Sequence, residues 1–190
     1  MKVIIDTNSL LSLVRYYLPF DKENLLFNFI KEKIEIGEII IIDKVYEQCT
    51  YNAKGLILKQ LAFLTDKSFL KKSKTPYKTD SLIAPSPAKF LRMVENQFVV
   101  GVQRKKINDV EFEVKKNQHL EDADIKLILL CLNLIKNEEN VYLVTEETTG
   151  GNDNKLFVKI PLMCRELSIK CITLPKLIKL YLDDFELHFK

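Results

Sequence analysis

Residues 1–19 read MKVIIDTNSLLSLVRYYLP, and how the chain passes through Asp6 decides the fold. Lys2 to Ile5 is a short, apolar, β-branched run of the kind that suits a strand covered on both faces. Asp6 ends it. Apolar residues then recur at Leu10, Leu11, Leu13, Val14, Tyr17 and Leu18, which predicts a helix stopped by Pro19. Asp6, Thr7, Asn8 and Ser9 at this junction have two readings. They are a capped helix start, because such side chains satisfy free N–H groups there. Or Asp6 is a functional carboxylate at the C-terminal edge of a parallel sheet, where α/β proteins place ligands.

Reading outward, strands and helices alternate. Residues 22–36 carry Leu25, Leu26, Phe29, Ile30 and Ile34 at helical spacing, closed by Gly37. EIIII (38–42) is a second buried strand, and Asp43 opens a helix holding Val45, Tyr46 and Cys49. A helix is expected from about 56 to 70, a loop over KKSKTPYKTDSLIAPSP (71–87), and a helix from Pro87 to Phe98. Residues 99–118 are ambiguous: VEFEV alternates like a strand within charged surroundings. Residues 121–134 are so densely apolar that they read as a central helix. VYLVT (141–145) is a third strand, EETTGGNDNK (146–155) a polar loop, and 160–167 a short helix. KCITL (170–174) is a fourth strand, and Pro175 opens a last helix to Leu182. This alternation, without hairpin turns, predicts a three-layer α/β/α domain around a parallel sheet of four or five strands.

A chain of 190 residues fits one domain over 1–190 with a full core. A net charge of +3 does not by itself select nucleic acid. The charge is uneven, however: Lys67, Lys71, Lys72, Lys74 and Lys78 form one basic stretch, and Arg104, Lys105, Lys106, Lys115 and Lys116 another. Cysteines 49, 131, 164 and 171 lack CxxC spacing, which argues for free thiols and against zinc. No leader and no membrane-length apolar run is evident, so a cytoplasmic protein without membrane partners is expected.

Acidic residues recur where the opening pattern recurs. Asp6 follows the first strand, Glu146 and Glu147 follow the third, and Asp122 and Asp124 open the central helix. In a parallel sheet all strand C-termini share one edge. Crowded carboxylates need protons or cations, and hard ions such as Mg²⁺ or Mn²⁺ select such oxygens. Singly, Asp122 and Asp124 also suit the helix dipole, and Glu47 suits an exposed helix face.

The ordered set VIIDTNSLLSL, DKVYEQC, HLEDADIKLILLCL and VYLVTEE resembles the PIN-domain nucleases. The later VTEE and IPLMCRELSIKCITL are similar to an uncharacterised bacterial subgroup of toxin-type PIN proteins. The resemblance covers most of the chain except an insertion at about 66–118. Carried over position by position, it implies catalytic acids at Asp6, Glu47, Asp122 and Glu147. The metal would be held by Asp6, Asp122, Asp124, Glu146 and Glu147, with Thr7, Asn8 and Thr145 supporting them. The fourth acid of the family is usually aspartate, and here it is Glu146 or Glu147.

The expected function is thus a Mg²⁺- or Mn²⁺-dependent ribonuclease acting on RNA phosphodiesters. Lys71, Lys72, Lys74, Arg104 and Lys105 would contact phosphates. The resemblance brings along the toxin role of a toxin–antitoxin pair, with an antitoxin protein or a homodimer as protein partners. Two alternatives stand beside it. The glutamate at the fourth position suggests a catalytically degenerate module that binds nucleic acid or is regulated by a partner. A metal-dependent phosphatase of the haloacid-dehalogenase kind would need an aspartate where this chain has Asn8. His119 either touches substrate or neighbours a helix cap, and His188 falls in a tail.

Overall fold

The computed structural model of the chain describes residues 1–150 and 154–181. Four strands form one sheet: β1 (Lys2–Ile5), β2 (Ile39–Ile40), β3 (Val141–Val144) and β4 (Lys170–Ile172). Their order is β2-β1-β3-β4, and every pairing is parallel. The helices that flank the sheet nearest the strand ends are α1 (Thr7–Ser12), α2 (Leu25–Glu35) and α3 (Asp43–Tyr51). Between β2 and β3 follow α4 (Leu56–Gln60), α5 (Lys67–Ser73), α6 (Pro87–Asn96), α7 (Gly101–Arg104), α8 (Asp109–Glu121) and α9 (Ala123–Lys136). Then come α10 (Ile160–Glu166) and α11 (Leu174–Leu180). This is the expected α/β sheet, with four strands.

The topology locates the site. The connection from β1 steps to β2 on one side, while that from β3 steps to β4 on the other. Right-handed crossovers then put α2 on one face and α9 and α10 on the other. The strand order reverses between β1 and β3, and a crevice opens there at the strand C-termini. The last ladder pair is Ile5 with Val144, so Asp6 and Thr145 emerge side by side into that crevice. Because α9 runs back against the strands, its N-terminus lies at the same edge.

The core explains why these segments fold as they do. Val3, Ile4 and Ile5 are all buried, as an inner strand with helices on both faces requires. In α9 every residue from Ile125 to Cys131 is buried, which agrees with a central helix. Removing a side chain such as Ile5 or Leu127 from water contributes about 1.5–3 kcal/mol.

Three local expectations differ. The helix expected over 56–70 is α4, a 3₁₀ turn at Ala62–Thr65, and α5. The break has a cause in Asp66, whose carboxylate accepts the Ser68 N–H at 2.7 Å and restarts the helix. Gly55 opens α4 at φ +71, where a Cβ would lie 3.1 Å from the Thr50 carbonyl oxygen. VEFEV belongs to α8, capped by Asn108 on the Glu111 N–H at 2.8 Å. Phe112, Lys116 and His119 are its buried residues, a helical spacing that the five-residue alternation conceals. Finally, EIIII pairs only through Ile39 and Ile40. Beyond them Tyr77 lies alongside, donating to the Ile41 oxygen and accepting from the Asp43 N–H.

The stretch at 66–118, outside the PIN resemblance, packs into the domain. Its Phe69, Phe90, Met93, Val94, Phe98 and Phe112 join the same buried core as the sheet. Thr79 ties it to α3, donating its N–H and its hydroxyl to the Asp43 carboxylate at 2.9 and 2.6 Å. Leu182, His188 and residues 151–153 of the expected polar loop lie outside the described residues. Among the described residues no helix is long and apolar enough to cross a membrane.

Candidate functional site

Asp6 does two jobs at once. It caps α1, accepting the Thr7 N–H at 2.6 Å, and its other oxygen accepts the Thr145 hydroxyl at 3.0 Å. The side chain is buried, with 5% of the residue exposed. Burial pushes its pKa up to about 6, and the Glu147 charge adds to this, while the bonds from Thr145 and Thr7 hold it back.

Asp124 sits in the first turn of α9, and burial pushes its pKa up to about 7. The charges of Glu147, Asp6 and Asp122 raise it further, and Lys155 opposes them. Glu147 follows β3. Its N–H donates to the Thr145 hydroxyl at 3.2 Å, its Oε2 accepts the Ile160 N–H at 3.0 Å and so caps α10, and its Oε1 lies 3.7 Å from Lys155 Nζ. The Glu147 charge thus acts on both Asp6 and Asp124, which come from distant segments and lie at the sheet's C-terminal edge. Ser9 Oγ, in the α1 turn that Asp6 opens, is fully buried and has no hydrogen-bond partner among the described residues.

The other expected residues stand differently. Asp122 lies between α8 and α9 with extended backbone, its side chain 63% exposed and its Oδ2 3.4 Å from His119 Nδ1. It lines the same groove as Asp124 but at the rim. Two residues apart, one before the helix and one inside its first turn, the two aspartates take different directions. His119 stacks on Phe157 with ring centroids 4.0 Å apart; burial lowers its pKa, and Asp122 pulls it back up. Glu146 accepts the Leu174 N–H at 2.7 Å, which caps α11. Glu47 is exposed and joins no contact with the cluster among the described residues. Its neighbour Gln48 accepts the Thr7 hydroxyl instead. Val45 and Cys49 are the buried residues of α3, so position 47 falls on the opposite face and 48 beside the buried one. That spacing was the available signal for Gln48.

Three grooves are lined by these acids: two share Glu147, and the third holds Asp124. One, of about 260 Å³, runs past Asn8, Arg15 and Tyr16 to Glu146 and Glu147. A second, of about 630 Å³, joins Asp124 and Asp122 to Lys115, Lys155 and Lys159. A third, of about 530 Å³, leads from Thr145 and Glu147 to Arg165 and Lys176. A cavity of about 700 Å³ beside Phe90, Met93 and Leu167 includes none of the three clustered acids. The basic residues expected to meet phosphate lie off these grooves. Lys72 pairs with Glu35 at 2.9 Å, and Arg104 pairs with Asp109 while its guanidinium covers the Phe112 ring. Lys71, Lys74 and Lys105 are exposed elsewhere.

The donor set is all oxygen: the buried Asp6 carboxylate, the half-buried Asp124 carboxylate, the tethered Glu147 carboxylate and the Thr145 hydroxyl. Among the described residues no group of three His, Cys, Asp or Glu side chains is close enough to hold a metal ion by itself. This set fits a hard ion that takes one or two carboxylates and keeps its waters, and does not fit a closed protein cage.

The chain belongs to the family described as Domain of unknown function (DUF4411), whose model matches residues 3–181. No curated protein and no solved structure matches it.

Proposed function

We propose that this member of the DUF4411 family is a metal-dependent nuclease that hydrolyses RNA phosphodiester bonds. One observation carries the reading: at the switch point of a parallel sheet the Thr145 hydroxyl donates to the Asp6 carboxylate and accepts the Glu147 N–H, and the charges of Asp6 and Glu147 both act on Asp124. Holding two carboxyls with raised pKa values beside a third acid costs stability, and groups so perturbed in a cleft are functional-site candidates. The PIN resemblance agrees with it, with Asp124 taking the place expected of Asp122.

Mg²⁺ or Mn²⁺ bound there would lower the pKa of water and neutralise charge developing on phosphate. The residues supply the rest. Asp6 and Asp124 hold the ion. Thr145 and the Thr7 N–H fix the Asp6 carboxylate in one orientation, and Gln48 fixes Thr7. Glu147, with Oε2 held by the Ile160 N–H and Oε1 3.7 Å from Lys155 Nζ, would orient water. Lys115, Lys155 and Lys159 on one side, with Arg165 and Lys176 on the other, give a polyanion its path. An antitoxin partner and the toxin role are proposed on the PIN resemblance alone.

The second reading, a degenerate nucleic-acid-binding module, is favoured by one observation: Glu147 already has its carboxylate engaged by Ile160 and Lys155. Cleavage separates the two. Purified protein is incubated with labelled single-stranded RNA and DNA, with Mg²⁺, Mn²⁺ or a chelator, beside Asp6→Asn and Asp124→Asn prepared identically. Metal-dependent RNA cleavage lost in both variants supports the nuclease. Binding without cleavage supports the degenerate module, and equal cleavage by the variants points to a contaminant.

A further inference from the structure

We infer that Arg15 and Tyr16 form a nucleotide subsite beside the carboxylates, the Tyr16 ring receiving an unpaired base and the Arg15 guanidinium the adjoining phosphate. The inference rests on the nuclease reading and deepens it by naming which part of the substrate this side of the site holds.

The helix that starts at Thr7 does not continue as a regular α-helix. Leu13–Tyr17 is π-helical, with the Leu18 N–H bonded back to the Leu13 oxygen. Such wide turns are rare and are frequently found at functional sites. This one carries Arg15 and Tyr16, which line a cavity of about 260 Å³ with Asn8, Glu146 and Glu147. Both are exposed, and Tyr16 keeps 65% of its surface in water. Among the described residues neither side chain has a hydrogen bond or an ion pair.

The chemistry is complementary. Glu146 and Glu147 make the mouth negative, which repels a phosphate unless a cation stands there. Arg15 is the cation this cavity contains, and its planar fork suits phosphate oxygens. The phenol ring presents a flat apolar face at the same mouth. Bases splayed out of single strands stack on such rings whatever their sequence, whereas a paired base has its faces covered by its neighbours. A cavity of this size beside the acids has room for one splayed base and no duplex. A peptide partner would use the tyrosine and arginine differently, through the phenol hydroxyl and acidic side chains.

The test is fluorescence anisotropy on the full chain in chelator, with a labelled single-stranded RNA and its duplex. It is done for wild type, Tyr16→Ala, Tyr16→Phe, Arg15→Ala and Arg15→Lys, with thermal melts of each. Tyr16→Ala should weaken single-strand binding about tenfold, and Tyr16→Phe should restore it. Arg15→Ala should weaken binding and reduce the salt slope by about 0.7, with partial recovery in Arg15→Lys. Melting should be unchanged, since both side chains are exposed. Wild-type affinity in Tyr16→Ala, or a duplex bound as tightly as the single strand, overturns the inference. So does a need for the hydroxyl, shown by Tyr16→Phe behaving like Tyr16→Ala, which fits a peptide partner instead. The two claims fail separately. A wild type that binds but never cleaves, with binding lost in Tyr16→Ala, removes the nuclease and keeps the subsite. A wild type that cleaves, with KM and Kd unchanged in Tyr16→Ala, does the reverse.

Discussion

The Thr145 hydroxyl donates to the Asp6 carboxylate at 3.0 Å although 139 residues separate them. The contact exists because Ile5 and Val144 end the same ladder, so the next residue of each strand steps into the crevice together. It ties the site to the register of two central strands. A Thr145→Val variant keeps the shape and removes the bond. Because that bond lowers the Asp6 pKa, its loss should raise it, moving the acid limb of any pH–rate profile upward. Activity or metal affinity should fall by about 10–100-fold with little change in fold. An unmoved acid limb would show that Thr145 does not act through Asp6.

Stability should fall as pH rises in metal-free protein. Asp6 and Asp124 titrate at about 6 and about 7 in the fold, against about 3.9 for an unfolded aspartate. The folded state therefore binds more protons than the unfolded state between about pH 4 and 7, and stability declines through that window. Glu38 and Asp43, whose pKa values are lowered, act oppositely but in more acidic solution, and His119, lowered by burial, opposes the two aspartates within the window as a single group against two. Asp124→Asn should flatten the decline and stabilise the protein at pH 8 by on the order of 2–3 kcal/mol. Urea unfolding at pH 5 and pH 8 measures both quantities.

Adding Mg²⁺ at pH 8 should recover part of that lost stability, because the ion binds the ionised folded form. The midpoint should rise with Mg²⁺ concentration in the wild type and stay flat in Asp124→Asn and Asp6→Asn. A midpoint insensitive to Mg²⁺ and Mn²⁺ would count against a metal at these carboxylates.

Glu47→Gln and Gln48→Ala distinguish two neighbours on α3. Glu47 is exposed, so its variant should keep wild-type stability and cleavage. Gln48 holds Thr7, and its truncation should lower turnover without changing RNA affinity. The opposite ranking would restore Glu47 as the functional residue.

The two basic sets can be compared by salt dependence. Neutralising Lys115, Lys155 and Lys159, which line the groove with Asp124, should reduce the slope of log affinity against log salt by about 0.7 per lost contact. Neutralising Lys71, Lys72 and Lys74 should leave the slope nearly unchanged, since Lys72 pairs with Glu35 and none of the three lines a groove at the acids. A larger effect from the second triple would return RNA contact to Lys71, Lys72 and Lys74.

Much of this protein was legible in its order of residues. VIIDTN and VYLVTEE place an acid after a buried strand, and a strand that is apolar throughout must be interior to a parallel sheet. The parallel sheet, the shared edge and the positions of Asp6, Asp124 and Glu147 therefore follow from local pattern and topology. What the pattern could not rank was side-chain direction. Asp122 and Asp124 differ by two positions, yet the helix break at Asp122 leaves one exposed at the rim and the other half-buried in the first turn. Glu47 and Gln48 differ by one, and the buried face of α3 selects the second. Charge runs at 67–78 and 104–106 are equally visible in sequence, but only packing decides which lysines reach the crevice. Sequence determines which groups exist and which edge they share, because strand and helix periods are local. Convergence to within interaction distance belongs to the tertiary structure, because it depends on helix breaks and on register between strands more than a hundred residues apart.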